Sequence, residues 1–466
     1  NAVLTSRSFL VFRKLCFMTL DLLSVRRAAE EFPQRLAIRR SLAEGGDLSF
    51  SQLAELVEQR IAEIEQEGRT KIYPLVVHPN TDSLVSVYAL LELHTPILVL
   101  HPSLTETEKQ RFLAQVDTFT DPLPEDTAII VFTSGTTGKP KATILTRKAL
   151  ISSAQSSAKN IPLEEGDVWQ LSIAPARIGG FSIVSRSLIA RTAISFAPKF
   201  SAKAYTESWD RDGVTLSSIV PTMLIKVLED CPEWRPSKNF KTFLVGGAAT
   251  SDKSRKLAFE RHLPLVMTYG MTETASNVVS TPFEMRYSIT KGNGKINPGA
   301  EIKIVDGRVL IRGPMLLEGY WGRETKDENG WFDSGDLGHI DEEGYVYVKG
   351  RAKDVILSGG DNVYPQEVEE ALENIPGIKQ ALVLGKPDET WGAIVTALLV
   401  PENEASKPEA KDIVFGLSNV LATYKSPRLI SWVRQLPVNA SGKLNRRPEV
   451  LEGLTFEVLH YTAKNK

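Results

Sequence analysis

From about residue 35 onward, apolar residues arrive in short blocks separated by amphipathic stretches. In LSFSQLAELVEQRIAEIEQ (48–66), Leu53, Leu56, Val57, Ile61 and Ile64 recur at helical spacing, which predicts one buried face of a helix. Ser49 and Gln52 stand at capping-box spacing and mark its start. IYPLVVH (72–78) predicts a strand and DSLVSVYALLEL (82–93) a helix. TPILVLH (95–101), TAIIVFT (127–133) and KTFLVGG (241–247) are short apolar runs, each leading into turn residues. This alternation of strand and helix predicts mainly parallel sheets covered by helices.

After about residue 295 the rhythm changes. AEIKIVDGRVLIRG (300–313) is two alternating runs joined by Asp306-Gly307, a strong hairpin signal. GHIDEEGYVYVKG (338–350) reads as a second hairpin, so this part is expected to be a small β-rich subdomain. From residue 351 an α/β pattern restarts: PQEVEEALENI (365–375) as helix, QALVLG (380–385) and IVTALLV (394–400) as strands, and EAKDIVFGLSNVLA (409–422) as helix. The expected fold class is α/β with an α+β C-terminal domain. A large N-terminal domain, 1–350, holds mainly parallel sheets covered by helices plus the β-rich subdomain. It is hinged near KGRAKD (349–354) to a small, mobile C-terminal domain, 351–466. No internal repeat is visible.

Length and composition agree with this layout. A chain of 466 residues suggests about three domains or subdomains. A net charge of -2 gives no reason to expect nucleic acid or an anionic membrane surface as partner. Two cysteines, Cys16 and Cys231, are too few for a disulfide framework and form no zinc motif; a reducing, cytoplasmic setting is expected. No run approaches the roughly 20 apolar residues of a membrane span. The apolar stretch FLVFRKLCFMTLDLL (9–23) is broken by Arg13 and Lys14 and followed by no small-residue cleavage pattern. Residues 1–17 therefore read as an extension, with Met18 a candidate natural start.

The densest chemistry lies in IIVFTSGTTGKPKATI (129–144). A buried strand runs into glycines that let backbone N–H groups converge, hydroxyls that add donors, and Lys139 and Lys141. That is the composition of a phosphate cradle. It is not a Walker A loop, because Thr133 and Pro140 occupy positions that need Gly and Ser or Thr. Taken alone, such a loop reads equally well as a polar turn after a strand. A second stretch, APARIGGFSIVSRSL (174–188), carries Arg177 and Arg186 in apolar surroundings. A buried cation without a partner costs several kcal/mol, so each arginine either reaches solvent or meets an anion. Gly179 and Gly180 predict a break in the chain before a helix that starts near Phe181.

SGTTGKPK (134–141), YGMTET (269–274), GWFDSGDLG (330–338), GRAKDVILSGGDNVYPQEVE (350–369) and PVNASGKLNR (437–446) follow one another in order. In this the sequence resembles the adenylate-forming superfamily of acyl- and aryl-CoA ligases, luciferases and peptide-synthetase adenylation domains. The resemblance covers nearly the whole chain. It implies an enzyme that converts a carboxylic acid, ATP and coenzyme A into acyl-CoA, AMP and pyrophosphate through an acyl-adenylate, with Mg²⁺. Ser134, Gly135, Thr136, Thr137 and Lys141 would hold phosphates. Gly247, Ala248, Tyr269 and Gly270 would line the adenine, Thr272 would bond a phosphate oxygen and Glu273 would ligate Mg²⁺. Asp336, expected in a turn, and Arg351 would hold the ribose. Lys443 would be the catalytic lysine of adenylation, neutralising charge as one anion attacks another. Lys353 would mark the hinge, with Gly359 and Gly360 letting the pantetheine arm of CoA pass.

The 174–188 stretch falls where the superfamily has a pocket histidine, with Pro175 and Gly180 in place and Arg177 standing for that histidine. An arginine there would repel the ammonium of an amino acid, which argues against a peptide-synthetase module. The spacing in RIGGFSIVSRSL, together with Ser276 in YGMTETAS, resembles the o-succinylbenzoate–CoA ligases of menaquinone and phylloquinone synthesis. Their substrate is a dicarboxylate, which implies that Arg186 holds the carboxylate that is not adenylated. Arg177 either shares that anion or shifts substrate choice. Another aryl- or short-chain acyl-CoA ligase is the alternative within the class. A catalytically silent nucleotide-binding regulator is the alternative outside it, and retention of Glu273, Asp336, Arg351 and Lys443 speaks against it. Monomer and homodimer are both open.

Overall fold

Ser49 caps the first long helix as its spacing predicts. Its side chain accepts from the Gln52 N–H, and the Gln52 side chain accepts from the Ser49 N–H. The helix runs Phe50–Glu67 and buries Phe50, Leu53, Val57, Ile61 and Ile64, while Leu56 lies half-buried at the edge of that face. The structure, a computed structural model, describes residues 21–41, 44–68, 70–133, 140–289, 291–438 and 444–461.

The chain divides into two compact units. The first comprises 1–247, 258–302 and 311–332. Its centre is a nine-stranded sheet among the described residues. Leu36–Arg39, Ala193–Phe196, Val168–Leu171, Leu216–Ile219, Thr242–Val245 and Leu265–Met271 lie side by side and parallel. Antiparallel strands flank them at both ends. A five-stranded sheet runs parallel from Tyr73–Val76 through Ile97–Leu100 to Thr127–Thr133, then antiparallel through Lys141–Thr146 and Gly319–Tyr320. The inner strands are buried on both faces, so they read as continuous apolar runs wherever they are apolar at all. Leu216–Ile219 is not, and its Ser217 and Ser218 are buried. Gln170 on the neighbouring strand is fully buried, donating to Ser208 and accepting from the Trp209 indole.

The second unit comprises 248–257, 303–310 and 333–466. Asp306 and Gly307 both take positive φ, 48° and 76°, as the tight hairpin signal requires. Phe332–Ile340 and Val346–Arg351 form the second expected hairpin. One correction follows: Asp336 lies within the Phe332–Ile340 strand and not in a turn. The glycine that suggested a turn, Gly335, takes φ 75° inside the strand, with its N–H held by Asp333 Oδ1. Beyond residue 351, a four-stranded sheet packs the helices Pro365–Glu373 and Ala410–Ser418 around Val368, Leu372, Ile413, Leu417 and Ile430. The α/β class with an α+β C-terminal part is therefore the observed one. Among the described residues no helix is long and apolar enough to cross a membrane.

Glu373 gives this second unit a pH signature. Burial pushes its carboxyl up to about 7, repulsion from Glu369 and Glu370 adds to this, and hydrogen bonds from the Ala381 N–H and Ser251 oppose it. The folded value lies above the unfolded one, so ionisation in the folded state costs stability as pH rises, and that cost is relieved by acid. Glu373→Gln is expected to stabilise the protein by on the order of 2 kcal/mol at pH 8 and hardly at all at pH 4.5. Thermal unfolding at the two pH values checks this, and an equal shift at both would exclude it.

Candidate active site

Glu273 is presented by a sharp change of direction. The strand Leu265–Met271 ends in the single 3₁₀ turn Thr272–Thr274, and Ser276–Ser280 returns antiparallel. The reversal is so tight that a Cβ on Gly270 would lie 2.0 Å from the Ser276 carbonyl oxygen. Thr274 closes it, accepting from the Met271 N–H and donating to the Ser276 carbonyl. Thr272, Glu273 and Tyr269 are all left half-buried.

The Glu273 backbone carbonyl accepts from the Leu317 N–H at 2.7 Å, and its Oε1 accepts from the Tyr320 hydroxyl at 2.8 Å. Lys141 Nζ stands over the Tyr320 ring, 4.6 Å from its centroid, at cation–π range. Tyr320 thus draws together Lys141 and Glu273, two residues that the sequence singled out separately. It reaches them because Gly319–Tyr320 pairs with Ile144 and Thr143, one strand residue beyond Lys141 and Ala142. Nothing local in the sequence marks Tyr320 for this place. Ser134, Gly135, Thr136 and Thr137 lie outside the described residues. The strands before and after that segment pair antiparallel, with Thr133 opposite Lys141.

Gly246 stands where a Cβ would lie 2.2 Å from the Thr268 hydroxyl. After it Gly247 takes φ 84° and is exposed, as is Ala248. In the second unit, Asp336 and Arg351 face each other across the hairpin register. Asp336 is buried, and its Oδ1 meets Arg351 Nε at 2.9 Å, while Arg351 also donates to the Ser334 carbonyl. Lys353 is exposed in the one-turn helix Ala352–Asp354. Gly359 and Gly360 form the turn of a small hairpin at φ 62° and 93°. Gly359 is backed by the Trp391 ring, 2.8 Å from where its Cβ would be, whereas Gly360 faces open space.

Lys443 lies outside the described residues. On either side of 439–443, Val438 and Leu444 form a bridge and the Asn445 N–H donates to the Pro437 carbonyl. Arg446 pairs bidentately with the buried Glu369 and donates to the Val383 carbonyl.

The two arginines of 174–188 part company. Their helix runs Ile178–Ala190 with Arg177 at its N-cap, which corrects the expected start near Phe181. The glycines do not break the chain. They sit in the first turn, and a Cβ on Gly180 would fall 2.3 Å and 2.4 Å from the carbonyl oxygens of Ala174 and Ile173. Glycine serves here for close approach, not for a turn. Arg177 is half-buried, and its charge helps depress the His101 imidazole after the larger effect of burial. Arg186 is only 3% exposed, so the solvent-facing alternative is gone. Burial pushes its guanidinium down to about 10. It donates to Asn277 Oδ1 and lies 5.8 Å from the Trp169 ring centroid, and among the described residues no carboxylate pairs with it. Ser276 contacts the same helix, 3.2 Å from the Ser182 hydroxyl.

The described residues thus form one unit built on mainly parallel sheets and a second unit with an α+β C-terminal part. Residues 91–321 match the AMP-binding enzyme family and 367–443 match the AMP-binding enzyme C-terminal domain. The chain belongs to the AMP-binding enzyme family. It is 32% identical over 443 residues to a 2-succinylbenzoate–CoA ligase of Listeria monocytogenes, covering 86% of this chain and 94% of that one. It is 35% identical over 334 residues to one of Enterococcus faecalis, covering 69% and 68%. It also superposes on the o-succinylbenzoate CoA synthetase of Bacillus subtilis in complex with its acyl-adenylate intermediate. There the TM-score is 0.78 and the identity 28%, over 91% of this chain and 96% of that one. The same Bacillus subtilis enzyme with ATP and magnesium ion gives a TM-score of 0.76 at 28% identity, over 91% of this chain and 98% of that one.

Proposed function

We propose that the protein is an ATP-dependent o-succinylbenzoate–CoA ligase of quinone biosynthesis. The observation that carries the substrate choice is Arg186, a buried cation with no carboxylate partner among the described residues. Similarity to 2-succinylbenzoate–CoA ligases supports the same reading. The acid would be a dicarboxylate and CoA the co-substrate. The reading includes a cytoplasmic enzyme, monomeric or homodimeric, whose C-terminal part, 351–466, turns at Lys353 between two half-reactions.

In the first half-reaction a substrate carboxylate oxygen attacks the α-phosphorus of ATP. The bond to the bridging oxygen breaks and pyrophosphate leaves. Both reactants are anionic, so cations must offset their repulsion. Ser134–Thr137 and Lys141 hold phosphates, Thr272 bonds a phosphate oxygen, and Lys443 neutralises charge at the reacting phosphorus. Glu273 fits Mg²⁺: it is a half-buried carboxylate oriented by the Tyr320 hydroxyl, and Mg²⁺ takes one or two carboxylates with phosphate oxygens. Held by Glu273, the ion would supply positive charge to offset that of the leaving pyrophosphate. Gly247, Ala248, Tyr269 and Gly270 bound the adenine, and Asp336 with Arg351 takes the ribose hydroxyls. In the second half-reaction the CoA thiol, giving up its proton, attacks the acyl carbonyl beside Gly359 and Gly360, and AMP leaves.

An assay of acyl-CoA formation across a panel of acids tests this. The reading expects o-succinylbenzoate to be used with a far higher kcat/KM than benzoate or short-chain acids. Equal use of benzoate, or no acid-dependent ATP–pyrophosphate exchange at all, would sink it. The Tyr320 hydroxyl holds Glu273 through a hydrogen bond to a charged group, worth about 1.5–3 kcal/mol. Tyr320→Phe is therefore expected to raise the Mg²⁺ concentration needed for half-maximal ATP binding about tenfold. Calorimetric titration of ATP at varied Mg²⁺ checks this, and an unchanged Mg²⁺ dependence would rule it out.

A further inference from the structure

Ala275 and Ser276 end the Glu273 turn with two consecutive non-glycine residues at positive φ, 49° and 122°. Among the described residues the other non-glycine positions of this kind stand singly, at φ between 48° and 58°. Those values fall in the ordinary left-handed region, whereas 122° lies outside it. Such a conformation persists only where its surroundings hold it, and it gathers at sites where the direction of the backbone matters.

Ser153 supplies the hold. It is buried on the helix Arg147–Asn160, and its hydroxyl donates to the Ala275 carbonyl at 2.8 Å from 122 positions away. That carbonyl belongs to the peptide joining Ala275 to Ser276. Turning this peptide over would bring Ser276 from φ 122° to about −60°, an unstrained value, and would point the carbonyl away from Ser153. The Ala275 side chain opposes the same movement. Ala275 stands at φ 49° and ψ 25°, and the flip would carry its ψ to about −155°, where at positive φ only glycine is at ease. A hydroxyl and a methyl group therefore hold one peptide in its strained orientation.

The turn fixed in this way is the one that presents Glu273. The Ala275 N–H donates to the Thr272 carbonyl at 3.0 Å and closes the single 3₁₀ turn Thr272–Thr274. Released, the 275–276 peptide would populate two orientations, and the turn would offer the Glu273 carboxylate to Tyr320 in only one of them. The apparent affinity for an ion at Glu273 then falls in proportion to the population of that one orientation.

We propose that Ser153 is a positioning residue for Glu273, holding the Ala275–Ser276 peptide in the strained orientation that seats the carboxylate. This rests on the reading of Glu273 as the Mg²⁺ ligand.

The test is a double-mutant cycle of Ser153→Ala and Ala275→Gly, read by calorimetric titration of ATP at varied Mg²⁺ and by melting of the ligand-free protein. Ser153→Ala should raise the Mg²⁺ concentration needed for half-maximal ATP binding about fivefold. Ala275→Gly alone should change it by less than about twofold, because the hydroxyl still holds the carbonyl. Together they should raise it about 30-fold, beyond the product of the single effects. The double variant should nevertheless melt higher than Ser153→Ala, because the released peptide relaxes. A role in stability alone predicts the reverse, with the Mg²⁺ dependence recovering as the melting temperature does. That result, or an unchanged Mg²⁺ dependence in Ser153→Ala, would overturn the inference. Should Ser153→Ala not fold, Ser153→Cys keeps a weak donor and should give about a twofold rise that grows when Ala275→Gly is added, and no growth would overturn the inference equally. Glu273→Gln, run alongside, separates the two readings. No shift there removes the Mg²⁺ reading and this inference with it, whereas a shift in Glu273→Gln without one in Ser153→Ala removes this inference alone.

Discussion

Lys443→Ala should lower acid-dependent ATP–pyrophosphate exchange by about 10²–10³-fold, the usual loss when one preorganised charge is removed from a transition state. Thioester formation from supplied acyl-adenylate and CoA should change by only a few-fold. The asymmetry follows from charge. Adenylation brings a carboxylate onto a phosphate, whereas the second step brings a thiol onto a neutral carbonyl. The described residues beyond 443 are anchored independently. Arg446 is tied to the buried Glu369 and to the Val383 carbonyl, and Val438 pairs with Leu444. Single-turnover measurement of each half-reaction checks the expectation. Equal losses in both would refute a lysine that serves adenylation alone, and the turning C-terminal part along with it.

The second large effect is expected at Arg186. Arg186→Met should raise KM for a dicarboxylate by about 10²-fold or more, the scale on which a desolvated charge pair loses a partner. KM for benzoate should move far less, because benzoate has no second carboxylate to strand. The free protein should meanwhile become more stable or stay level. Burial alone already disfavours the charged guanidinium, lowering it to about 10, and methionine removes that cost while filling similar volume. Gain in melting temperature with loss of dicarboxylate binding is the signature of a group kept for its ligand. A variant that unfolds, or that loses both acids alike, would show instead that Arg186 holds the helix in place.

How much of this was legible in the chain depends on distance. The Phe50–Glu67 helix could be read because its face and its capping box are set within a few residues. The Asp306-Gly307 turn is equally local. The start of the Ile178–Ala190 helix was misjudged because Gly179 and Gly180 look like a break, and only contact with Ile173 and Ala174 reveals why Gly180 is there. Asp336 was misplaced for the same reason, with Gly335 at positive φ inside a strand. The strands Val168–Leu171 and Leu216–Ile219 carry Gln170, Ser217 and Ser218 in the interior, and a polar residue betrays burial only when its partners are visible. For the candidate site, motif residues could be named one by one, but their pairings could not. Tyr320 meets Glu273 from 47 positions away, and Asn277 meets Arg186 from 91.

Gly180 and Gly270 carry a consequence for how this enzyme could diversify. At both, main-chain carbonyl oxygens occupy the space a Cβ would need. The backbone of the Arg186 helix is thereby seated against the 173–174 segment, and that of the Glu273 turn against the start of the Ser276 strand. Side chains hanging from them, Arg177, Arg186, Ser276 and Asn277, are spared the task of spacing those backbones. On the proposed reading of the site, substrate range can therefore shift by exchanging side chains on a backbone that the two glycines hold in place. Directed evolution toward new acids should find its gains at those four positions and tolerate no replacement at the two glycines.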